Sequence, residues 1–304
     1  MQKQFCSVFV LLISVFNHQL IEAQNYVNVL NGRYYYLPSP ALKDNDQSVK
    51  FSEFRIETTL PLELKGGNIV GIKPQYKTFS LRSDEAALKD IKLHTFKLPV
   101  FTYLKFGESG WSVYVDISPK LNSDLKNVTN RHFQIGGMFI FFKERNENFL
   151  WQFGLFYNQD TYGPFFMPLL GLDWSISEKD YFAALLPAYM IYERKLSKRF
   201  YTGFELELSG ETFRLGGSTY ENSYISQLGE NQITFMTEPR LFIDFYMIPH
   251  LVLYIKSGIR LFHMYEHYTE DDERLEVPEY IEGKLKENFY LEAGIALRFR
   301  YDEE

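Results

Sequence analysis

The sequence predicts an all-β fold, a transmembrane antiparallel up-and-down β-barrel of about 12 strands. Three observations predict it. Apolar and polar side chains alternate with a period of two, repeatedly, from residue 53 to residue 301. Because a strand turns successive side chains to opposite faces, each such stretch has one greasy face and one polar face. The N-terminus has the order of a cleavable export signal. After residue 23 no long uninterrupted apolar run occurs, and the mean hydropathy is slightly negative. That excludes a helical membrane protein but not a barrel, whose strands are only half apolar.

In the signal, Lys3 supplies the positive charge, Phe5 to Phe16 form a short apolar core, and Ile21-Glu22-Ala23 is an acceptable cleavage site. The apolar core is shorter than the roughly 20 residues a spanning helix needs. The expected division is a signal peptide over 1–23, an N-terminal leader over 24–50 and an outer-membrane barrel over 51–304. The leader carries Tyr34-Tyr35-Tyr36 and a Pro38-Ser39-Pro40 break, and reads either as an extra strand or as a periplasmic segment. Cys6, the only cysteine, lies inside the signal, so the mature chain has no disulfide, zinc-thiolate site or cysteine nucleophile.

Strands are expected near 52–64, 68–80, 91–107, 110–121, 131–143, 149–158, 165–176, 180–194, 199–213, 232–247, 250–266 and 284–301. In the first, Phe54, Ile56, Leu60, Leu62 and Leu64 share a face opposite Glu53, Arg55, Glu57 and Glu63. The fourth sets Trp111, Val113, Val115 and Ile117 against Ser112, Tyr114, Asp116 and Ser118. In the last, Phe289, Leu291, Ala293, Ile295, Leu297, Phe299 and Tyr301 oppose Tyr290, Glu292, Gly294, Ala296, Arg298 and Arg300. A soluble antiparallel sheet also alternates, and a soluble periplasmic β-protein is the alternative fold. Strand length favours the barrel, since globular strands average about 5–6 residues. The 28 Phe, 22 Tyr and 3 Trp suit aromatic girdles at two membrane interfaces.

Connections after residues 213 and 266 are the longest and suit outer loops, whereas Leu196-Ser197-Lys198 and the turn near Pro249 suit the periplasmic side. The fit is incomplete. Gly66-Gly67, Gly107 to Gly110 and Ser177 to Asp180 would be short outer turns, and Pro187 interrupts a strand by removing a ladder donor. Ten or fourteen strands therefore stay open.

Glu292-x-Gly294-x-x-Leu297-x-Phe299 matches the terminal signature read by the barrel-assembly machinery, although Asp302, Glu303 and Glu304 follow it. Residues 168–214 add Pro168-Leu169-Leu170-Gly171-Leu172-Asp173-Trp174, then Leu186-Pro187, Tyr192, Lys195-Leu196-Ser197, Gly203 and Gly210-x-x-Phe213-Arg214. In this order they resemble an uncharacterised family of outer-membrane barrels, a domain of unknown function, from Bacteroidetes-type bacteria. The resemblance implies fold and location only, and carries over no catalytic or binding residue.

Alternation gives the candidate lumen-facing charges. Acidic are Glu53, Glu57, Glu63, Asp116, Glu205, Glu207, Glu238, Asp244 and Glu292; basic are Arg55, Lys73, Lys77, Lys97, Lys105, Arg240, Lys256, Arg260, Arg298 and Arg300. So balanced a set in a narrow lumen should pair, because lone buried charges are costly. It reads either as an occluded salt-bridged interior or as a pore wall that sets selectivity. If the first and last strands adjoin, Glu53, Arg55 and Glu57 are expected against Arg298, Arg300 and Glu292.

Residues 266–282 hold eight carboxylates against Arg274. They read as a solvated outer loop beside cation-bridged lipopolysaccharide, or as a site for divalent cations or a basic partner, but lack the spacing of a calcium loop. The histidines after the signal are His94, His132, His250, His263 and His267, with no zinc-helix motif. Gly216-Gly217-Ser218 is not a nucleophile elbow. Asn127-Val128-Thr129 matches a glycosylation sequon by chance. No phosphate loop, nucleic-acid patch, cofactor motif or catalytic set is found.

The functional expectation is a passive channel or small-solute uptake component. The alternatives are a non-conducting structural or surface-interaction barrel and an outer-membrane lipid hydrolase. Expected partners are outer-membrane lipid, lipopolysaccharide and the barrel-assembly machinery, and the oligomeric state stays open.

Overall fold

Fourteen antiparallel strands close on themselves in the computed structural model, which describes residues 26–38, 49–83, 90–216, 223–227, 235–276 and 282–300. The export signal with Cys6, residues 39–48 of the leader, 277–281 of the acidic loop, and Tyr301 to Glu304 lie outside the described residues. The strands are β1 (Tyr26–Leu37), β2 (Val49–Thr58, continued by Leu60–Glu63), β3 (Ile69–Ile72 and Gln75–Ser83), β4 (Ile91–Lys97 and Val100–Lys105), β5 (Trp111–Ser123), β6 (Phe133–Asn146) and β7 (Phe149–Asp160). They continue with β8 (Gly163–Ser175), β9 (Asp180–Leu186), β10 (Tyr189–Lys195), β11 (Phe200–Ser209), β12 (Met236–Ile248), β13 (Leu251–Arg260) and β14 (Asn288–Arg300). Each pairs with the next, and β14 pairs with β1 from Tyr26↔Arg300 to Tyr36↔Leu291 across a bulge at Asn28/Leu30.

Two differences separate this count from the expected 12. The leader is not outside the barrel, because Tyr26–Leu37 is its first strand and lies between β14 and β2. The stretch 180–194 is not one strand but the β9–β10 hairpin, turning at Pro187 and Ala188. The two changes resolve the misfit of the turns. An extra strand at the start reverses the direction of the strands that follow, and the extra hairpin restores it. Gly66-Gly67, Gly107 to Gly110 and Ser177 to Asp180 then share one rim with Leu196 to Arg199 and Pro249-His250. Every connection on this terminal rim, beside Tyr26 and Arg300, is short, whereas the opposite loop side carries both long connections, 210–235 and 261–287, together with the two-residue turns Thr161-Tyr162 and Pro187-Ala188.

β2, β3 and β4 are each broken at mid-height, at Thr59, Lys73-Pro74 and Leu98-Pro99. Proline has no N–H to give to a ladder, so a strand passes it only at an edge or an irregularity. Here the irregularities nest. Thr58 N donates to the Pro74 carbonyl at 3.1 Å, Lys73 N to Pro99 at 2.9 Å and Leu98 N to Pro119 at 2.9 Å.

The outer surface is apolar. Phe54, Ile56, Leu60, Leu62 and Leu64 are exposed along β2, as are Leu241 and Ile243 on β12, Ile255 on β13, and Phe289, Leu291 and Ile295 on β14. The three tryptophans, Trp111, Trp151 and Trp174, gather toward the terminal rim with Phe141 and Phe149 as ring neighbours. Exposed apolar surface of this extent marks a face made for something other than water. The inner face carries the buried charge, as period two requires.

Above the lumen the long connections fold inward as a cap. Thr212–Arg214 pairs with Tyr224–Ser226, which pairs with Met264–Tyr268. Phe213, Leu215, Ile225, Tyr265 and Leu285 pack against the inward Leu37, Val49, Phe51, Phe79, Leu81 and Leu93 of β1–β4. Asn122 and Gln134 donate to the Thr212 carbonyl, and the Thr212 hydroxyl donates to Asp160. The acidic stretch is thus not simply a solvated loop. Glu266 and His267 are buried in the cap, Glu270 pairs with Arg131, and Asp272 accepts from the Tyr224 hydroxyl at 2.7 Å. Burial pushes the His267 imidazole down to about 4, and burial beside Arg260 pushes His263 well below its ordinary value.

Candidate lumen site

Below the cap, inward charges from alternate residues meet across the barrel. Arg240 of β12 is the centre. Its Nε donates to Glu205 at 2.6 Å, Nη2 to Glu207 at 2.5 Å and Nη1 to Glu238 at 3.2 Å. Lys256 of β13 reaches the same Glu205 at 2.8 Å, and Arg260 pairs with Glu238. A planar guanidinium with five donors suits such shared binding of carboxylates.

Nearer the terminal rim, Arg298 pairs with Asp244 and Arg300 with Glu193. Their guanidinium groups also lie 3.7 Å from the Tyr26 ring centroid and 3.8 Å from that of Tyr201. These buried pairs fill that half of the lumen.

The expected closure contacts do not form, because β1 stands between β2 and β14. Arg55 pairs with its neighbour Glu53 at 3.1 Å, Glu57 accepts from Asn31 at 2.9 Å and Gln75 at 2.8 Å, and Glu292 lies 3.5 Å from Arg33. Asp116 accepts from Ser118 at 2.6 Å, and Lys77 pairs with Glu211 at the base of the cap. Lys73 sits at the break of β3, and Lys97 at the end of the upper part of β4. Of the terminal signature, Glu292 and Gly294 face the lumen, whereas Leu297 and Phe299 lie on the other face of β14, with the Phe299 ring stacked on His250 at 4.2 Å.

A cavity of about 410 Å³ remains between the cap and the ion pairs. One wall is charged, with Glu53, Arg55, Lys97, Lys120, Glu207 and Arg240 among its residues. The opposite wall is apolar, formed by Met138, Phe156, Phe165, Met167, Leu169 and Leu185. Selecting charges alone misses this second wall. The same alternation contains it, as the inward even residues of β6 and β7 and the inward odd residues of β8. Charged residues were missed for local reasons. Arg33 lies in the leader, Glu193 in the concealed hairpin, and Asp160 two residues past the expected strand end. Among the described residues no group of three His, Cys, Asp or Glu is arranged to hold a metal ion.

Several solved barrels are similar in outline. The COG4313 outer membrane channel from Pseudomonas putida F1 is 11% identical with a TM-score of 0.46, over 92% of this chain and 100% of that one. The NanC porin is 11% identical with a TM-score of 0.41, over 88% and 98%. Outer membrane phospholipase A from Escherichia coli is 9% identical with a TM-score of 0.35, over 96% and 98%. No curated protein matches the chain. The family described as Domain of unknown function (DUF6268) matches residues 23–298, nearly the whole length, and the chain belongs to it.

Proposed function

We propose that the protein is an outer-membrane β-barrel that takes up small solutes by binding them in a closed lumen, rather than a permanently open pore. The exposed apolar belt, the tryptophan cluster and the split between short-turn and long-loop rims support a bilayer setting, with the loop rim outward. On this reading the chain is exported behind a signal cut near Ala23 in a Bacteroidetes-type host. The barrel-assembly machinery recognises Glu292, Gly294, Leu297 and Phe299, and lipid and lipopolysaccharide surround the belt.

The observation that carries the proposal is the cavity of about 410 Å³, closed above by the folded cap and below by paired charges. A cavity of this size fits one small ligand. A free pore of water would leave those charges hydrated, not paired and buried.

Single-channel recording of the folded barrel in planar bilayers tests this. The expected record is silent or shows rare brief openings. Steady ohmic steps from the wild-type protein would overturn the closed-lumen reading.

A further inference from the structure

On the loop side the barrel wall has a step. β8 runs from Gly163 to Ser175 and pairs with β7 along its whole length, but β9 covers only Leu170 to Ser175. Along the other edge of β8, residues 163–169 have no strand against them among the described residues. This edge, unpaired among the described residues, extends roughly 23 Å at 3.3 Å per residue, and beside it the Phe235 ring lies 5.6 Å from that of Phe165. Pro164 and Pro168 lie on this stretch, in ladder with β7, and proline within a sheet belongs where no partner needs its N–H. Across the step, β11 extends only to Ser209, and Leu208 N donates to the Ala188 carbonyl at 2.9 Å.

The foot of the step is the β9–β10 hairpin. Its tip is Leu186-Pro187-Ala188, and no charged residue occurs from Tyr181 to Tyr192. Turns in water are polar, and an uncharged apolar tip suits hydrocarbon. Leu186, Leu170 and Phe166 are exposed on the outer face around it, 52%, 57% and 58% respectively, so the step lies within the apolar belt. Phe165, Leu169, Leu185 and Ala188 line the cavity, and so does Leu208 of β11 across the step. The cavity's apolar wall therefore leads to the gap.

The far side of the cavity carries a like-charge pair. Lys97 of β4 and Lys120 of β5 are direct cross-strand partners, and both line the cavity. Like charges placed opposite each other destabilise a sheet. Lys120 has Asp160 at 3.9 Å, whereas the Lys97 ammonium makes no side-chain hydrogen bond or ion pair among the described residues and feels Asp116 only at longer range. Between the lysines and the apolar wall lies Gly136, which sets no side chain into the lumen.

We infer that the gap between β8 and β11 is a lateral portal for a single-chain amphiphile with an anionic head, bound head between Lys97 and Lys120 and chain along the apolar wall. The inference deepens the uptake proposal and rests on the barrel spanning a bilayer. An anionic head relieves the lysine repulsion through charge-assisted hydrogen bonds. The chain gains apolar burial without leaving the hydrocarbon level, since the portal opens into it.

Two measurements test it on the full chain carrying Cys6→Ser. A bimane label at Leu186→Cys, in nanodiscs of lipid brominated on the acyl chains, should be quenched as strongly as one at Ile255→Cys in the middle of the belt. A label at Lys198→Cys on the terminal rim should not. Quenching at 255 without quenching at 186 overturns the portal and leaves the membrane reading standing, and loss of quenching at both overturns the membrane reading itself. Equilibrium binding of radiolabelled myristate and of decyl phosphate, in a neutral detergent, tests the cavity. One saturable site for both is expected for a general anionic head, and for one alone if the head is specifically carboxylate or phosphate. Lys97→Met should weaken binding about tenfold and Lys97→Arg should restore it. Leu169→Asn should weaken binding, while butyrate, which lacks the chain, should not compete. Lys97→Met removes a repulsion, so misfolding is not expected to mask the result. Absence of a saturable site, indifference to Lys97→Met, or equal competition by butyrate would overturn the site.

Discussion

The ring of Tyr254 on β13 occupies the space that a side chain on Gly294 would need. The two are cross-strand partners, and a Cβ at Gly294 would fall 2.2 Å from Tyr254 Cζ. The same tyrosine donates its hydroxyl to Asn31 Oδ1 at 2.7 Å, tying β13 to β1 across β14. The glycine of the terminal signature thus has a packing role inside the closure seam.

Gly294→Ala should therefore push Tyr254 off Asn31 and cost about 1–3 kcal/mol, the usual range for overpacking. A lower temperature for loss of heat-modifiable gel mobility is the readout. An unchanged temperature would show that the seam tolerates a side chain there.

Arg240 holds three carboxylates, of which Glu205 and Glu238 are as buried as it is. Arg240→Ala leaves them without their shared partner and should cost about 3–5 kcal/mol in urea unfolding. Lys256 and Arg260 remain beside Glu205 and Glu238, so Glu207 should be the carboxylate most affected. Arg240→Lys keeps the charge but not the fork and should fall between the two.

Phe213 is fully buried in the cap and meets Phe79 edge-on, with ring centroids 5.1 Å apart. Phe213→Ala should weaken cap docking by about 3–5 kcal/mol, by loss of burial and by the cavity left behind. Bilayer recordings of this variant should show frequent openings, and protease should cut near Arg274 sooner than in the wild type. A variant as silent and resistant as the parent would show that the cap does not gate the lumen.

Cap docking should weaken in acid. His267 is shifted down to about 4 from an ordinary 6.5, and His263 is shifted down also, so the docked cap binds these protons less readily than a released one. Docking is then independent of these groups above about pH 6.5 and loses free energy as pH falls from there toward 4, where docked His267 begins to protonate itself. Opening frequency should rise across that window. His267→Gln should remove the share of the rise that this group supplies and leave that of His263, and a flat profile in the wild type would contradict the burial argument.

Ile255 stands exposed at the middle of β13, on the outer face. Ile255→Arg should cost about 2–4 kcal/mol in a bilayer if that face meets the hydrocarbon centre. Measured in lipid vesicles by reversible unfolding, a cost near zero would count against the membrane setting.

Much of this molecule is legible from alternation alone. The outward rows of β2 and β14 and the inward charges of β11 to β14 follow from a period of two, because a one-residue shift would bury a whole greasy face in the lumen. The leader strand is legible only as one of two readings, and the β9–β10 hairpin reads as a single strand, each for a physical reason. The leader strand is short of aliphatic outward residues, with Leu30, Tyr34 and Tyr36 exposed, and it stands apart behind a proline break. The β9–β10 hairpin turns at Pro187, whose missing N–H fits an interruption within one strand equally well, and its turn carries no Gly, Asn or Asp to mark a reversal.

The sequence by itself determined the strand character, the two faces and the membership of charge in the interior, since all three depend on side-chain direction along one strand. The tertiary structure decided which charges meet, because closure through β1 sets neighbours that no local pattern encodes. It also decided that distant connections fold into a cap, and that a short hairpin beside a long strand leaves residues 163–169 of β8 without a paired strand on that side among the described residues. Those outcomes depend on register and length around the whole ring, and the site lies where they coincide.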